Sequence, residues 1–84
     1  MDDRLLDLKV VTPSGTRLSE RTEYIEMPLE DGLIGIQYNH APMLARVAGG
    51  PLKYRVGKKM NEFTLSPGLA EVRDNTVTIL ISKY

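Results

Sequence analysis

"LLDLKVVTPSG", residues 5–15, sets the reading of the fold. Leu6, Leu8 and Val10 alternate with Asp7 and Lys9. That two-residue period marks a strand with one face buried and the other in water. Thr12-Pro13-Ser14-Gly15 then stops the strand, because proline and glycine favour a turn. The same grammar runs to the end of the chain. Residues 16–20 (TRLSE) read as a short second strand. In 22–29 (TEYIEMPL), Ile25, Met27 and Leu29 share one side, with Tyr24 and Glu26 on the other. Glu30-Asp31-Gly32 turns the chain, Leu33–Ile36 is a short apolar strand, and QYNHAP follows. Residues 43–48 (MLARVA) form the next segment, and Gly49-Gly50-Pro51 breaks it. Leu52, Tyr54 and Val56 point inward and Lys53 and Arg55 outward, ahead of a Gly57-Lys58-Lys59 hairpin turn. Phe63 and Leu65 point inward before Ser66-Pro67-Gly68. Two last strands, 69–73 and 76–82, are separated by Asp74-Asn75, and Val77, Ile79 and Ile81 share a face.

Roughly nine or ten short strands with closely spaced turn signals predict an all-β fold, a sandwich or flattened barrel. No window of the chain shows helical periodicity, and there is no internal repeat. Eighty-four residues make a single domain, 1–84. Folding at this size hides about 60% of the unfolded chain's surface. The expected core is thin, which suits a protein that leans on partners.

Composition removes several classes of function. The chain has no cysteine, so disulfides, thiolate zinc sites and cysteine nucleophiles are all out of reach. One histidine and no D-x-D-x-D run leave no expected metal site. Eleven basic and eleven acidic residues cancel, unlike the basic excess of a nucleic-acid binder. No stretch approaches a membrane-spanning apolar run. The start, MDDRLLDLKVV, lacks the basic region and apolar block of a signal peptide. A soluble cytoplasmic chain is expected.

The neutral total hides an uneven layout. Residues 20–31 carry Glu20, Glu23, Glu26, Glu30 and Asp31 against Arg21. Residues 46–59 carry Arg46, Lys53, Arg55, Lys58 and Lys59 with no acid. Two readings stay open: solvated strand faces that discourage edge aggregation, or a bipolar surface that orients docking.

His40 is the one imidazole, in the stiff step Asn39-His40-Ala41-Pro42. A catalytic histidine needs a nucleophile or an orienting carboxylate beside it. The nearest acids, Glu30 and Asp31, lie nine or more residues back, and Ser14, Ser19, Ser66 and Ser82 show no nucleophile-elbow pattern. A corner-capping histidine or a docking residue on a low-entropy corner fits better. Gly32 and Gly35 lack the lysine-serine step and following helix of a phosphate loop, so they read as turn and packing glycines. The basic 53–59 hairpin is the alternative site, a small β-barrel binding single-stranded nucleic acid, although Tyr54 has core phase. Val11, Leu33, Ile34, Met43 and Leu44 do not all fit one thin core. Some of them are expected in an exposed apolar patch, the mark of an interface. That favours an interaction module over an enzyme.

Three segments in order, LKVVTPSG (8–15), GLIGIQYNHAPML (32–44) and SPGLAEVRDNTVTIL (66–80), resemble the N-terminal domain of the epsilon subunit of F-type ATP synthases. The resemblance covers about residues 5–82. It implies a ten-stranded β-sandwich with no active site and no cofactor. It also implies a rotor-stalk role that couples the gamma subunit and the c-ring to proton-driven ATP synthesis. The membrane contact would be indirect, at the cytoplasmic face of the inner (plasma) membrane. By position, Val11, Thr12, His40, Ala41, Pro42, Met43 and Leu44 are candidates for the gamma-facing side. Glu30, Asp31, Gly32, Leu33 and Ile34 are candidates for the c-ring contact. Asn39 stands where many members have glycine, and asparagine tolerates the positive φ such a turn needs. Leu33 stands where some members carry an acid. Many members continue into a two-helix C-terminal domain, whereas this sequence stops at Tyr84. The expectation is a chain without that helical pair, naturally short or cut.

Overall fold

The computed structural model describes residues 4–82. Nine strands run through them: β1 (Leu6–Thr12), β2 (Gly15–Thr22), β3 (Tyr24–Leu29), β4 (Gly32–Ile36), β5 (Met43–Val47), β6 (Gly50–Val56), β7 (Lys59–Leu65), β8 (Gly68–Arg73) and β9 (Thr76–Ile81). The described residues contain no helix. The all-β expectation holds, with nine strands here against the ten implied by the resemblance. β6 starts earlier than read, because Gly50 and Pro51 open the strand rather than break the chain. Proline is tolerated at a strand's first positions, where its missing N–H costs little.

The strands form one sheet in the order β2-β1-β9-β8-β5-β3-β6-β7, with β4 on the other edge of β3. All neighbours are antiparallel except β1 and β9. Two halves meet at the β5–β3 step, where Leu29 and Val47 are the paired residues. The bonds from Ala48 N to Pro28 O (2.9 Å) and from Glu30 N to Arg46 O (3.3 Å) flank that pair. So short a seam lets the sheet fold over on itself. Leu6, Leu8, Val10, Ala70, Val72, Val77, Ile79 and Ile81 of one half and Ile25, Met27, Ile36, Leu52, Tyr54 and Leu65 of the other form a single buried cluster. Most are inward positions of the period-2 reading; Ile36, Ala70 and Val72 join them, Leu29 and Phe63 are only partly buried against the cluster, and Val56 departs from the reading. That residue is 42% exposed, because the β6–β7 hairpin runs past the end of the core.

Thr22 closes the open side. It is fully buried at the end of β2, and its Oγ1 accepts the Arg55 N–H of β6 at 3.1 Å and the Tyr24 N–H at 3.3 Å. Its one hydroxyl proton serves the Arg55 carbonyl (2.5 Å) or the Tyr24 carbonyl (3.0 Å). A buried hydroxyl is stable only when so engaged.

Of the two charge readings left open, the strand pairing favours solvated mixed faces over a bipolar surface. β3 lies beside β6, placing Glu26 opposite Lys53 and Tyr24 opposite Arg55. The acidic and basic segments therefore interleave. The Arg55 guanidinium sits 5.6 Å from the Tyr24 ring centroid, a cation–π distance. The ring in turn lies over Gly35, where an added Cβ would stand 2.7 Å from the phenol oxygen.

Candidate functional site

Side chains alternate across each strand, so the buried set fixes the outer one. On the β1-β9-β8-β5 half the outward residues include Lys9 and Val11, Thr78 and Leu80, Leu69 and Glu71, and Leu44 and Arg46. The register aligns them in rows. Val11, Leu80, Leu69 and Arg46 stand side by side across the sheet. Lys9, Thr78, Glu71 and Leu44 make the next row. Leu80 is 50% exposed, Leu69 44% and Leu44 73%. The outcome is a face with an apolar row, Val11, Leu80 and Leu69, bordered by Lys9, Thr78, Glu71 and Arg46, with Leu44 diagonal to Leu69. That is the anatomy of a protein-binding surface.

The sequence reading found part of this face. Val11 and Leu44 lie on it. Leu69 and Leu80 were missed, although the run Ile79-Leu80-Ile81 breaks the alternation and so carried the signal. Met43 faces the other way: it pairs with buried Val72 and packs against the core. Thr12 also faces inward, and its Oγ1 accepts from Ser14 N–H (3.1 Å) and donates to Gly15 O (3.2 Å), holding the β1–β2 turn. Neither residue belongs to the apolar face.

His40, Ala41 and Pro42 form the corner that leads into β5. The His40 N–H donates to Gln37 O at 3.1 Å, and Asn39 has φ of 64°. A closed four-residue turn with positive φ at its third position has the type II pattern. His40 Nδ1 lies 2.7 Å from Ala41 O. A carbonyl can only accept, so Nδ1 is the donor in this contact. This is the corner-capping histidine, held by backbone rather than by a carboxylate or a nucleophilic hydroxyl.

The other predicted surface, Glu30 to Ile34, is the β3–β4 hairpin. Glu30 and Asp31 are exposed in the turn, and Gly32 has φ of 133°, a value that favours glycine. Leu33 is 68% exposed, whereas Ile34 packs against the core. β5 starts at the His40 corner and ends beside this hairpin, at the Glu30–Arg46 bond. The His40 corner and the Glu30 hairpin therefore occupy opposite ends of β5, whereas Val11, through Leu80 and Leu69, stands level with Arg46 at the hairpin end.

The basic 53–59 hairpin offers no stacking platform, because Tyr54 is buried. Burial raises the Tyr54 pKa above 10.0, with a smaller contribution from the Glu20 charge. A phenol that holds its proton more tightly when folded adds stability that is full below the unfolded pKa and is lost as pH rises through the folded one. The melting temperature is therefore expected to fall more steeply above about pH 10 in the parent than in Tyr54→Phe. Thermal melts of both proteins from pH 8 to 11 check this, and parallel curves would contradict it.

Among the described residues, no three His, Cys, Asp or Glu side chains are grouped to hold a metal ion. A concavity of about 580 Å³ lined by Arg4, Glu23, Gln37, Tyr38 and Asn39 is open to solvent.

Comparison with known proteins agrees with this geometry. The family model for the β-sandwich domain of the ATP synthase delta/epsilon chain matches residues 5–84. The ATP synthase epsilon chain of Desulfitobacterium hafniense is 42% identical over 73 residues, covering 87% of this chain and 55% of the relative. That of Nitratidesulfovibrio vulgaris is 41% identical over 78 residues, covering 93% and 58%. The chain thus spans a little over half the length of the curated relatives it matches. A chain of the Euglena gracilis mitochondrial ATP synthase (OSCP/F1/c-ring) superposes with a TM-score of 0.87 at 22% identity, covering 99% of this chain and 54% of that one. A chain in the central stalk and c-ring of the Tetrahymena thermophila enzyme superposes at 0.75 and 22% identity, covering 99% and 67%. At that identity the two structures support the fold. The match over residues 5–84, with relatives above 40% identity, places this chain in the ATP synthase delta/epsilon β-sandwich family.

Proposed function

We propose that this domain is the rotor-stalk part of an ATP synthase epsilon chain. It joins the gamma subunit to the c-ring so that the stalk turns as one body and ion flow drives ATP synthesis. The observation that carries the proposal is the grouping of Val11, Leu80, Leu69 and Leu44 on one face of the β1-β9-β8-β5 half. That face, with the His40-Ala41-Pro42 corner next to its Leu44 end, binds gamma. The Glu30–Leu33 hairpin, at the far end of β5, meets the polar loops of the ring. The names of the relatives, ATP synthase epsilon chain, support the rotor-stalk reading.

The role is mechanical and needs no active site. Torque passes through a sheet only if its strands cannot slide. Here the ladder from β1 to β5 is continuous, and Thr22 ties the edge strand β2 to β6 of the other half. The domain acts as one folded unit, peripheral to the membrane on its cytoplasmic face. Single-stranded nucleic acid is not the partner, since the 53–59 hairpin buries its aromatic ring. The test is a titration of the chain with the gamma subunit of its own complex, run beside a labelled oligonucleotide at low salt. Saturable binding to gamma with no oligonucleotide binding supports the assignment. Strongly salt-dependent oligonucleotide binding without gamma binding overturns it.

A further inference from the structure

Asn39 and Asn75 come from segments far apart in the chain and meet beside the His40 corner. The Asn39 N–H donates to Asn75 Oδ1 at 2.6 Å, and Asn75 Nδ2 reaches Asn39 Oδ1 at 3.5 Å. Both residues have left-handed backbones, with φ of 64° and 60°. Asn39 is the third residue of the 37–40 turn, whose N–H has no acceptor within the turn itself. Asn75 sits in the β8–β9 hairpin, where Asp74 (51°) precedes it, giving the paired positive φ values of a type I′ turn. Its own carbonyl accepts the Asp7 N–H of β1 at 2.9 Å. Asn75 thus links three elements: the start of β1, the β8–β9 hairpin and the corner.

We propose that Asn75 is a positioning residue, whose side chain clamps the 37–40 turn and so fixes the His40-Ala41-Pro42 corner against the sheet that carries the apolar face. The inference rests on the gamma-binding reading of that corner. The clamp acts by lowering the freedom the corner must lose on docking, since a preordered loop binds at lower entropic cost. The turn itself does not depend on the clamp, because the His40–Gln37 bond closes it independently. Loss of the clamp therefore loosens the corner without unfolding the domain.

Three variants separate positioning from folding. Asn75→Gly keeps the left-handed backbone and the carbonyl that bonds Asp7, and removes the side-chain acceptor. Asn75→Asp restores an oxygen that accepts the Asn39 N–H. Asn39→Gly retains the clamp's short bond, because its donor is a backbone group. Amide hydrogen exchange at residue 39 in the isolated chain reads the clamp directly. Affinity for gamma reads its consequence. The expected result is roughly tenfold faster exchange and a 2- to 10-fold weaker complex in Asn75→Gly, the worth of one ordinary hydrogen bond. Asn75→Asp recovers most of both losses, and Asn39→Gly binds gamma close to the parent. Unchanged exchange in Asn75→Gly overturns the clamp. Faster exchange with unchanged gamma affinity, or no recovery in Asn75→Asp, overturns the positioning role. If the parent itself fails to bind gamma, the docking reading has failed, while the exchange data still judge the clamp.

Discussion

Gly68→Ala is expected to unfold the domain or to lower its melting temperature by tens of degrees. Gly68 opens β8 and pairs with Ile81 of β9. A Cβ built there falls directly on the Leu80 carbonyl oxygen and lies 2.9 Å from its carbon. The obstacle is backbone in the neighbouring strand, so no side-chain rotation relieves it. β8 and β9 would have to part where Leu69 and Leu80 are held side by side. The loss is of the order of 3 kcal/mol or more, out of the 5–15 kcal/mol that holds a small domain together. Two other glycines calibrate the effect. At Gly35 the obstruction is the far end of the Tyr24 ring, which can move, so alanine should cost less. At Gly49 the nearest atoms stand 3.5 Å away, and alanine is expected to be nearly neutral. Thermal melts of the three variants give the order. A Gly68→Ala protein as stable as Gly49→Ala would show that the β8–β9 approach is not as close as described.

Leu80→Glu should abolish most of the affinity for gamma and leave the fold intact. Leu80 sits at the centre of the apolar face with half its surface in water, so a carboxylate there costs the isolated domain little. In the complex the same carboxylate would be buried without a partner. A loss of about 30-fold or more, roughly 2 kcal/mol, is the scale of a central interface residue. Leu44→Glu should follow, somewhat more weakly because it lies nearer the edge of the face. Met60→Glu is the control: it is similarly exposed, at 46%, but belongs to β7 in the other half. Equal losses from Leu80→Glu and Met60→Glu, with all three proteins folded, would refute this assignment of the face.

Much of the fold was legible in the sequence because its physics is local. One-sided alternation in Leu6-Asp7-Leu8-Lys9-Val10 and in Val77-Thr78-Ile79 identifies strands and their inward faces without knowledge of their neighbours. Turn chemistry is equally local, as Asp74-Asn75 shows by taking up the two left-handed conformations of its hairpin. Strand pairing is not local. That β3 lies against β6 follows from the bend of the whole sheet, and it sets Glu26 of the acidic segment opposite Lys53 of the basic one. The site was half legible for the same reason. Val11 and Leu44 stood out as apolar residues off the core phase. Leu69 and Leu80 passed for ordinary strand residues until the β8–β9 register set them together. Met43 shows the converse: its neighbour Leu44 is exposed, yet alternation alone sends Met43 toward Val72.

The most direct test of the central claim is a pull-down of the tagged chain from detergent-solubilised membranes of its own source, with mass spectrometry of what it retains. A rotor-stalk domain should recover the gamma subunit together with the alpha and beta subunits, and the Leu80→Glu chain should recover far less of each. Recovery of nucleic acid or of unrelated proteins, with no ATP synthase subunit among them, would contradict the assignment.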